Sequence, residues 1–207
     1  MDRSRQQPTM LDHHILVSSA DFAARELGDR DIPALQQFYT ENPDYFLIAN
    51  GMPVRDDEAQ REFDDLPPPY MPFNRRYIVG FYDNNNKLIG MTDVLSDFLA
   101  PEVWQISFFI VATSLHGSGK PRAMYDQLEN WIARNGAQWA RLGVIINNTK
   151  AERFWEKHGY REVRKRLGVK FGCVVHDLRV MVKPFNYATL DEYLQRVERD
   201  RPESTLP

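Results

Sequence analysis

The segment Leu115-His116-Gly117-Ser118-Gly119-Lys120-Pro121-Arg122 lies where an apolar run, residues 103 to 111, gives way to a stretch with Met124, Leu128, Trp131 and Ile132 at helical spacing. Such a junction does chemistry through its backbone. The first amides of a helix have no intrahelical partner and point along its dipole, so they suit an anion such as a pyrophosphate. Gly117 and Gly119 permit close approach of a ligand to the main chain. Two other phosphate motifs are excluded. A Walker loop needs Ser or Thr after its lysine to hold magnesium, but Lys120 is followed by Pro121, and Ser114 occupies the earlier glycine position. A dinucleotide fingerprint would place its third small residue on Arg122, and no acidic ribose ligand follows at the proper place.

A second constellation follows about 30 residues later, in Asn148, Ala151, the pair Phe154-Trp155 and then Gly159-Tyr160. Together the two stretches resemble the signatures of the GNAT acetyltransferases. Val111 through Pro121 is similar to their coenzyme A pyrophosphate loop, Gln/Arg-x-x-Gly-x-Gly/Ala, and the resemblance extends over residues 22 to 183. It implies a GNAT-like α/β (α+β) fold: a mixed, mostly antiparallel twisted sheet of about seven strands, with a central parallel βαβ unit and flanking helices. It also implies acetyl-coenzyme A as co-substrate, no metal, and acetyl transfer to an amine. The implied cofactor-binding residues are Ile110, Val111, His116, Gly117, Ser118, Gly119, Lys120, Arg122, Asn148 and Trp155. Among them the amides of Gly117 to Lys120 would hold the pyrophosphate, Asn148 would reach the pantetheine, and an N–H near Ile110 or Val111 would polarise the thioester carbonyl.

The chain departs from that pattern at three positions. His116 stands where Arg or Gln is usual, and Pro121 where Gly or Ala is usual, which removes one backbone donor. Lys120 and Arg122 offset the loss with charge, and proline is tolerated in a first helical turn. Trp155 stands where many relatives carry a tyrosine that protonates the departing thiolate. An indole N–H is far too weak an acid for that, so Trp155 is read as packing against the cofactor or the core.

An amine nucleophile must lose a proton, which calls for a carboxylate, a histidine or an ordered water near the thioester. By two-residue alternation Gln105, Ser107, Phe109 and Val111 share one strand face. Gln105 sits about where some relatives have a glutamate base; it cannot take a proton, but it could order a water. Asp93 and Glu102 are the nearest carboxylates by sequence, each also readable as a surface or turn residue. Cys173, the only cysteine, lies outside both motifs and permits no intrachain disulfide, so direct transfer is expected rather than a covalent enzyme intermediate. His176 reads as a strand histidine. The pair His13-His14 lacks further ligands at metal spacing.

These residues need a frame to position them. Residues 1 to 20 read as a mobile arm, 21 to 185 as the acetyltransferase domain, and 186 to 207 as a C-terminal helix and tail. Strand-like runs fall at 22–27, 77–81, 88–95, 103–111, 139–146, 163–171 and 174–182; helical patterns fall at about 31–41, 55–65, 120–135 and 151–158, with a last one around Tyr193 and Val197. Strand, polar turn, helix and strand over 103–146 make one βαβ unit, which demands two parallel strands and a right-handed crossover. Tyr45-Phe46 and residues 70–73 are read equally as pocket lining or core.

Composition removes other functions. Lys+Arg 26 against Asp+Glu 29 leaves no sustained basic block for a nucleic acid backbone. The longest apolar stretch, residues 106–112, is far short of the roughly 18 residues of a spanning helix, so no membrane partner is expected. A cytoplasmic enzyme is the expectation. Its acceptor would be a small-molecule amine, or alternatively a peptide N-terminus or lysine. A coenzyme A-binding module without turnover is the third reading, and pairing as a homodimer stays open.

Overall fold

In a computed structural model, which describes residues 15–206, the chain forms one eight-stranded sheet with six helices. The strands are β1 (Ile15–Ser18), β2 (Phe22–Glu26), β3 (Arg75–Asp83), β4 (Leu88–Ser96), β5 (Val103–Val111), β6 (Trp139–Ile145), β7 (Arg161–Phe171) and β8 (Val174–Pro184), in the spatial order β1-β2-β3-β4-β5-β6-β8-β7. Every neighbouring pair is antiparallel except β5 and β6. Their crossover is α4 (Lys120–Arg134), as a parallel pair requires. The other helices are α1 (Ile32–Glu41), α2 (Asp44–Asn50), α3 (Glu58–Asp64), α5 (Thr149–Lys157) and α6 (Leu190–Arg196).

The layers follow from which side chains each element can bury. All nine residues of β4 are buried, as a central strand covered on both faces should be. On one face Met124, Tyr125, Leu128 and Ile132 of α4, with Trp155 of α5, pack on Val94, Trp104, Ile106 and Leu142. On the other, Leu35, Phe38 and Tyr39 of α1, Phe46 of α2 and Ala59 of α3 pack on Ile78, Met91 and Ile110. Tyr193 of α6 and Val197 close the same face further along, over Val103, Trp139 and Val182.

The structure corrects three expectations. Residues 15–18, read as part of a mobile arm, form the edge strand β1 on β2, which brings the expected sheet of about seven strands to eight; residues 1–14, with His13-His14, lie outside the described residues. Residues 44–50 are helical, because Pro43 serves as the N-cap of a new helix after ending the previous one. The third correction concerns β5. Asp93 opposes Phe108 but Val94 opposes Ile106, so Ser107 is an extra residue, a β-bulge. The bulge resets the alternation. Ile106 and Phe109 both pack on the α4 face, whereas Gln105 faces the other way, so Gln105 does not share a face with Phe109 and Val111.

Candidate active site

β5 and β6 pair from Val103 opposite Trp139 to Ile106 opposite Leu142, and there the pairing stops. Beyond that point β5 follows β4 to Val111, while β6 follows β8 to Ile145. Each strand keeps its antiparallel partner, so a gap opens between them, and the Ser107 bulge bends β5 where it begins. Ala112 donates its amide to Ile89 O at 2.9 Å, which fixes the phase of the ladder. By alternation Ile110 turns its N–H toward β4, and Phe109 and Val111 turn theirs toward the gap.

At the outer end of the gap stands the head of α4. Gly117 (φ 81°) and Gly119 (φ 85°) are left-handed, and a Cβ on either would meet nothing within 4 Å, so the space above them is open. The Ser118 amide is taken by Leu115 O and the Lys120 amide by Ser118 Oγ, whereas those of Gly117, Gly119 and Arg122 have no partner among the described residues. Arg122 itself is exposed, 3.7 Å from Asp126. His116 bridges the loop to its neighbours: Nε2 lies 3.0 Å from Val111 O and Nδ1 2.6 Å from Lys150 Nζ. Burial first, and then the Lys150 charge, hold this imidazole below its ordinary pKa. The neutral ring therefore donates from Nε2 and accepts from the lysine at Nδ1. The result is that His116 fixes beside the loop a cation, Lys150, that the sequence motifs did not single out. Asn148 caps α5, its Oδ1 accepting from Ala151 N at 3.2 Å, which leaves its amide group uncommitted.

Trp155 is buried among Phe109, Tyr125, Phe154 and Tyr160, with ring centroids between 5.0 and 5.8 Å away. The nearby phenols of Tyr125 and Tyr160 bond each other at 2.9 Å, and burial pushes both far up.

The three catalytic candidates do not come together. Gln105 is buried and accepts from Arg141 Nη1 at 2.7 Å, within a network in which Arg141 also binds Asp200 at 2.6 Å. Glu102 is half-buried at the entry to β5, 2.9 Å from Arg196, about 13 Å of strand before the gap opens. Asp93 is buried opposite Phe108, the residue following the bulge, and binds Arg76 Nη2 at 3.0 Å. Arg76 reaches Glu62 of α3 with the same nitrogen at 2.9 Å. Glu62 was invisible to pattern reading because it sits in a polar, aperiodic helix.

On the α1–α3 face the turn between β7 and β8 docks on the end of α2: Cys173 N donates to Asn50 O at 3.0 Å, and His176 Nε2 lies 2.9 Å from Ala49 O. The strand histidine is thus satisfied, and this contact covers the side of the sheet opposite α4. A surface hollow of about 530 Å³ beside Gly159, Lys183 and Thr189 lies at the Pro184 end of β8, the other end of the sheet from the gap. Among the described residues no helix is long and apolar enough to cross a membrane, and no group of three His, Cys, Asp or Glu could hold a metal ion.

A sheet whose two parallel strands part beside an uncommitted helix head leaves space and backbone donors for an elongated anionic ligand. Residues 35–160 match the Acetyltransferase (GNAT) family, and the chain belongs to that family of N-acetyltransferases, which use acetyl-coenzyme A. Solved structures share the fold. An acetyltransferase from Thermus thermophilus is 21% identical with a TM-score of 0.61, the match covering 83% of this chain and 99% of that one. Spermidine N-acetyltransferase from Vibrio cholerae, in complex with CoA and spermine, is 16% identical with a TM-score of 0.62, over 80% and 96%. An acetyl transferase from Salmonella typhimurium that modifies the N-terminal serine of a 50S ribosomal subunit protein is 13% identical with a TM-score of 0.65, over 83% and 99%. No curated protein matches the chain.

Proposed function

We propose that this acetyltransferase moves the acetyl group of acetyl-coenzyme A directly to the primary amine of a small molecule. The observation that carries this reading is the gap beyond Ile106 and Leu142, with free amides at one mouth and the turn between β7 and β8 closed over α2 on the opposite face. An acceptor side covered in this way favours a compact amine over a protein chain lying in an open groove.

Acetyl-coenzyme A, when bound, supplies an acetyl group activated as a thioester. The chain's own residues then have separable roles. The amides of Gly117, Gly119 and Arg122 donate to the pyrophosphate, with Lys120 and Lys150 adding charge. Open space above the two glycines supports this fit. Of the two backbone donors considered from sequence, Val111 is the one whose N–H faces the gap, and it polarises the thioester carbonyl. Its carbonyl, in the following peptide unit, accepts from His116 Nε2. Neither phenol packed against Trp155 is poised as an acid, since Tyr125 donates its proton to Tyr160 and burial pushes both far up. The leaving thiolate therefore takes its proton from the attacking nitrogen.

One observation favours a second reading, a peptide N-terminus as acceptor. Leu47, Ile48 and Val175 are 48, 52 and 63% exposed beside the α2 contact, an apolar rim suited to flanking residues of a peptide. Purified protein incubated with acetyl-coenzyme A and matched panels of primary amines and short peptides decides between them. Thiol release with amines above peptides is expected; release with peptides alone would sink the small-molecule reading, and release with neither would leave only a binding module.

A further inference from the structure

We infer that Glu62 and Asp93, joined by Arg76, form the site that binds the acceptor's ammonium group and takes its proton. The inference rests on the proposed amine acetylation and names the residues that select for it.

Position is the first argument. Asp93 opposes Phe108 across β4 and β5, two residues past the last β5–β6 pair, so it sits one strand from where the gap opens. Its carboxylate faces α3, because Arg76 holds it through Nε at 3.1 Å and holds Glu62 through Nη2 at 2.9 Å. Two ionised carboxylates on one guanidinium would leave a buried negative charge over, so the pair holds a proton unless a further cation arrives to replace it.

The surroundings suit an organic cation. Tyr45 meets Phe108 edge-on at 4.4 Å, and Tyr39 lies against the same ring at 6.1 Å, so aromatic surface adjoins the carboxylates. Tyr39 supplies the independent sign of a ligand. It is wholly buried, its hydroxyl has no hydrogen-bond partner among the described residues, and burial followed by the charges of Glu62 and Asp93 pushes its pKa far up. A buried hydroxyl left unpaired is uncommon in a folded protein. A primary ammonium has three N–H donors, which match two carboxylates and one phenol oxygen.

The charge state fits proton transfer. Burial first, and then Asp93, push Glu62 up to about 8, with Arg76 opposing. The charged and titratable groups facing the pair are Arg76 from β3, Tyr39 from α1, Tyr45 from α2 and Glu58 from α3. Ionised Glu62 takes one proton from R–NH₃⁺, giving R–NH₂ and the neutral acid. The amine lone pair then forms the C–N bond at the thioester carbon, the C–S bond breaks with its electrons on sulfur, and the thiolate takes the second proton from nitrogen. Glu62 returns its proton to solvent.

Two measurements on the full chain saturated with coenzyme A or acetyl-coenzyme A test this. Calorimetry follows binding of a series of aliphatic monoamines and diamines to wild type, Glu62→Gln and Tyr39→Phe, and acetyl transfer is followed across the pH range around 8. Wild type should bind at least one amine, with a transfer rate that climbs to a plateau above about pH 8. Glu62→Gln should lose that limb and slow transfer on the order of 10²-fold while its affinity for coenzyme A is unchanged. Tyr39→Phe should keep its thermal midpoint, since no protein partner is lost, yet bind the amine roughly five- to tenfold more weakly. Amine binding that is absent from wild type, or equal in Glu62→Gln, overturns the inference, as does a Tyr39→Phe protein that loses stability and keeps its amine affinity. Binding that depends on Glu62 without any acetyl transfer would uphold this site and overturn the proposed function instead.

Discussion

At the scale of single residues, the tryptophan in place of a tyrosine acid is the sharpest departure from family pattern. Trp155 is packed by four aromatic neighbours, so its indole serves stability. Trp155→Phe should cost about 1–2 kcal/mol in a thermal melt, below the range for complete truncation of a buried aromatic. Its kcat should fall by far less than the roughly 10²-fold that loss of a general acid entails. Lys150 is the opposite case, a residue outside both motifs that stands 2.6 Å from His116. Lys150→Met removes a cation from beside the α4 loop, and if that loop holds the pyrophosphate as proposed, coenzyme A should bind on the order of tenfold more weakly by calorimetry. The same variant should raise the His116 pKa toward its ordinary value in an NMR titration, because the Lys150 charge is one of the causes that depress it.

At the scale of elements, two left-handed glycines set the head of α4 and the end of α2. Gly119 begins α4 at φ 85°, so Gly119→Val pays backbone strain as well as blocking the open space above the loop. A folded Gly119→Val protein with unchanged coenzyme A affinity would place the pyrophosphate elsewhere. Gly51 ends α2 at φ 66°, and a Cβ there would stand 2.0 Å from Val174 Cγ2. Gly51→Ala must therefore shift the Val174 side chain and strain the α2 terminus, loosening the contact between α2 and the turn between β7 and β8. The expected signature is a raised KM for the amine with the coenzyme A dissociation constant unchanged, which steady-state kinetics and calorimetry separate.

For the whole molecule, buried charges on the α1–α3 face set the dependence of stability on pH. Asp200 is fully buried; burial opposes its ionisation, but Arg141 at 2.6 Å holds its carboxyl below the ordinary range. Its contribution is present above the ordinary carboxylate pKa and is lost as pH falls through the lower folded value. Glu62 acts in the other direction. Raised to about 8, it contributes stability that is complete below its ordinary value near 4.5 and is lost as pH climbs to about 8. The thermal midpoint should therefore peak on the mildly acidic side, and Glu62→Gln should flatten the alkaline decline. Removing one partner of the buried pair, as in Asp200→Asn, should cost about 3 kcal/mol or more.

The sequence by itself determined the βαβ unit, the loop at the head of α4 and membership of the acetyltransferase family, because these are written in local signals: strand and helix periods, paired glycines, and two motifs about 30 residues apart. Only the tertiary structure decided which polar side chains meet on the α1–α3 face. The Ser107 bulge reversed the assignment of Gln105, since one extra residue in a strand flips the faces beyond it and leaves no mark in composition. Glu102 fell to a surface pair with Arg196, and Gln105 to the Arg141 network. Asp93 met Glu62 and Tyr39, residues 31 and 54 positions away in sequence. A shared proton or a cation pocket depends on distances of about 3 Å between side chains from separate elements, and residue spacing along the chain does not encode such distances until the sheet has brought those elements together.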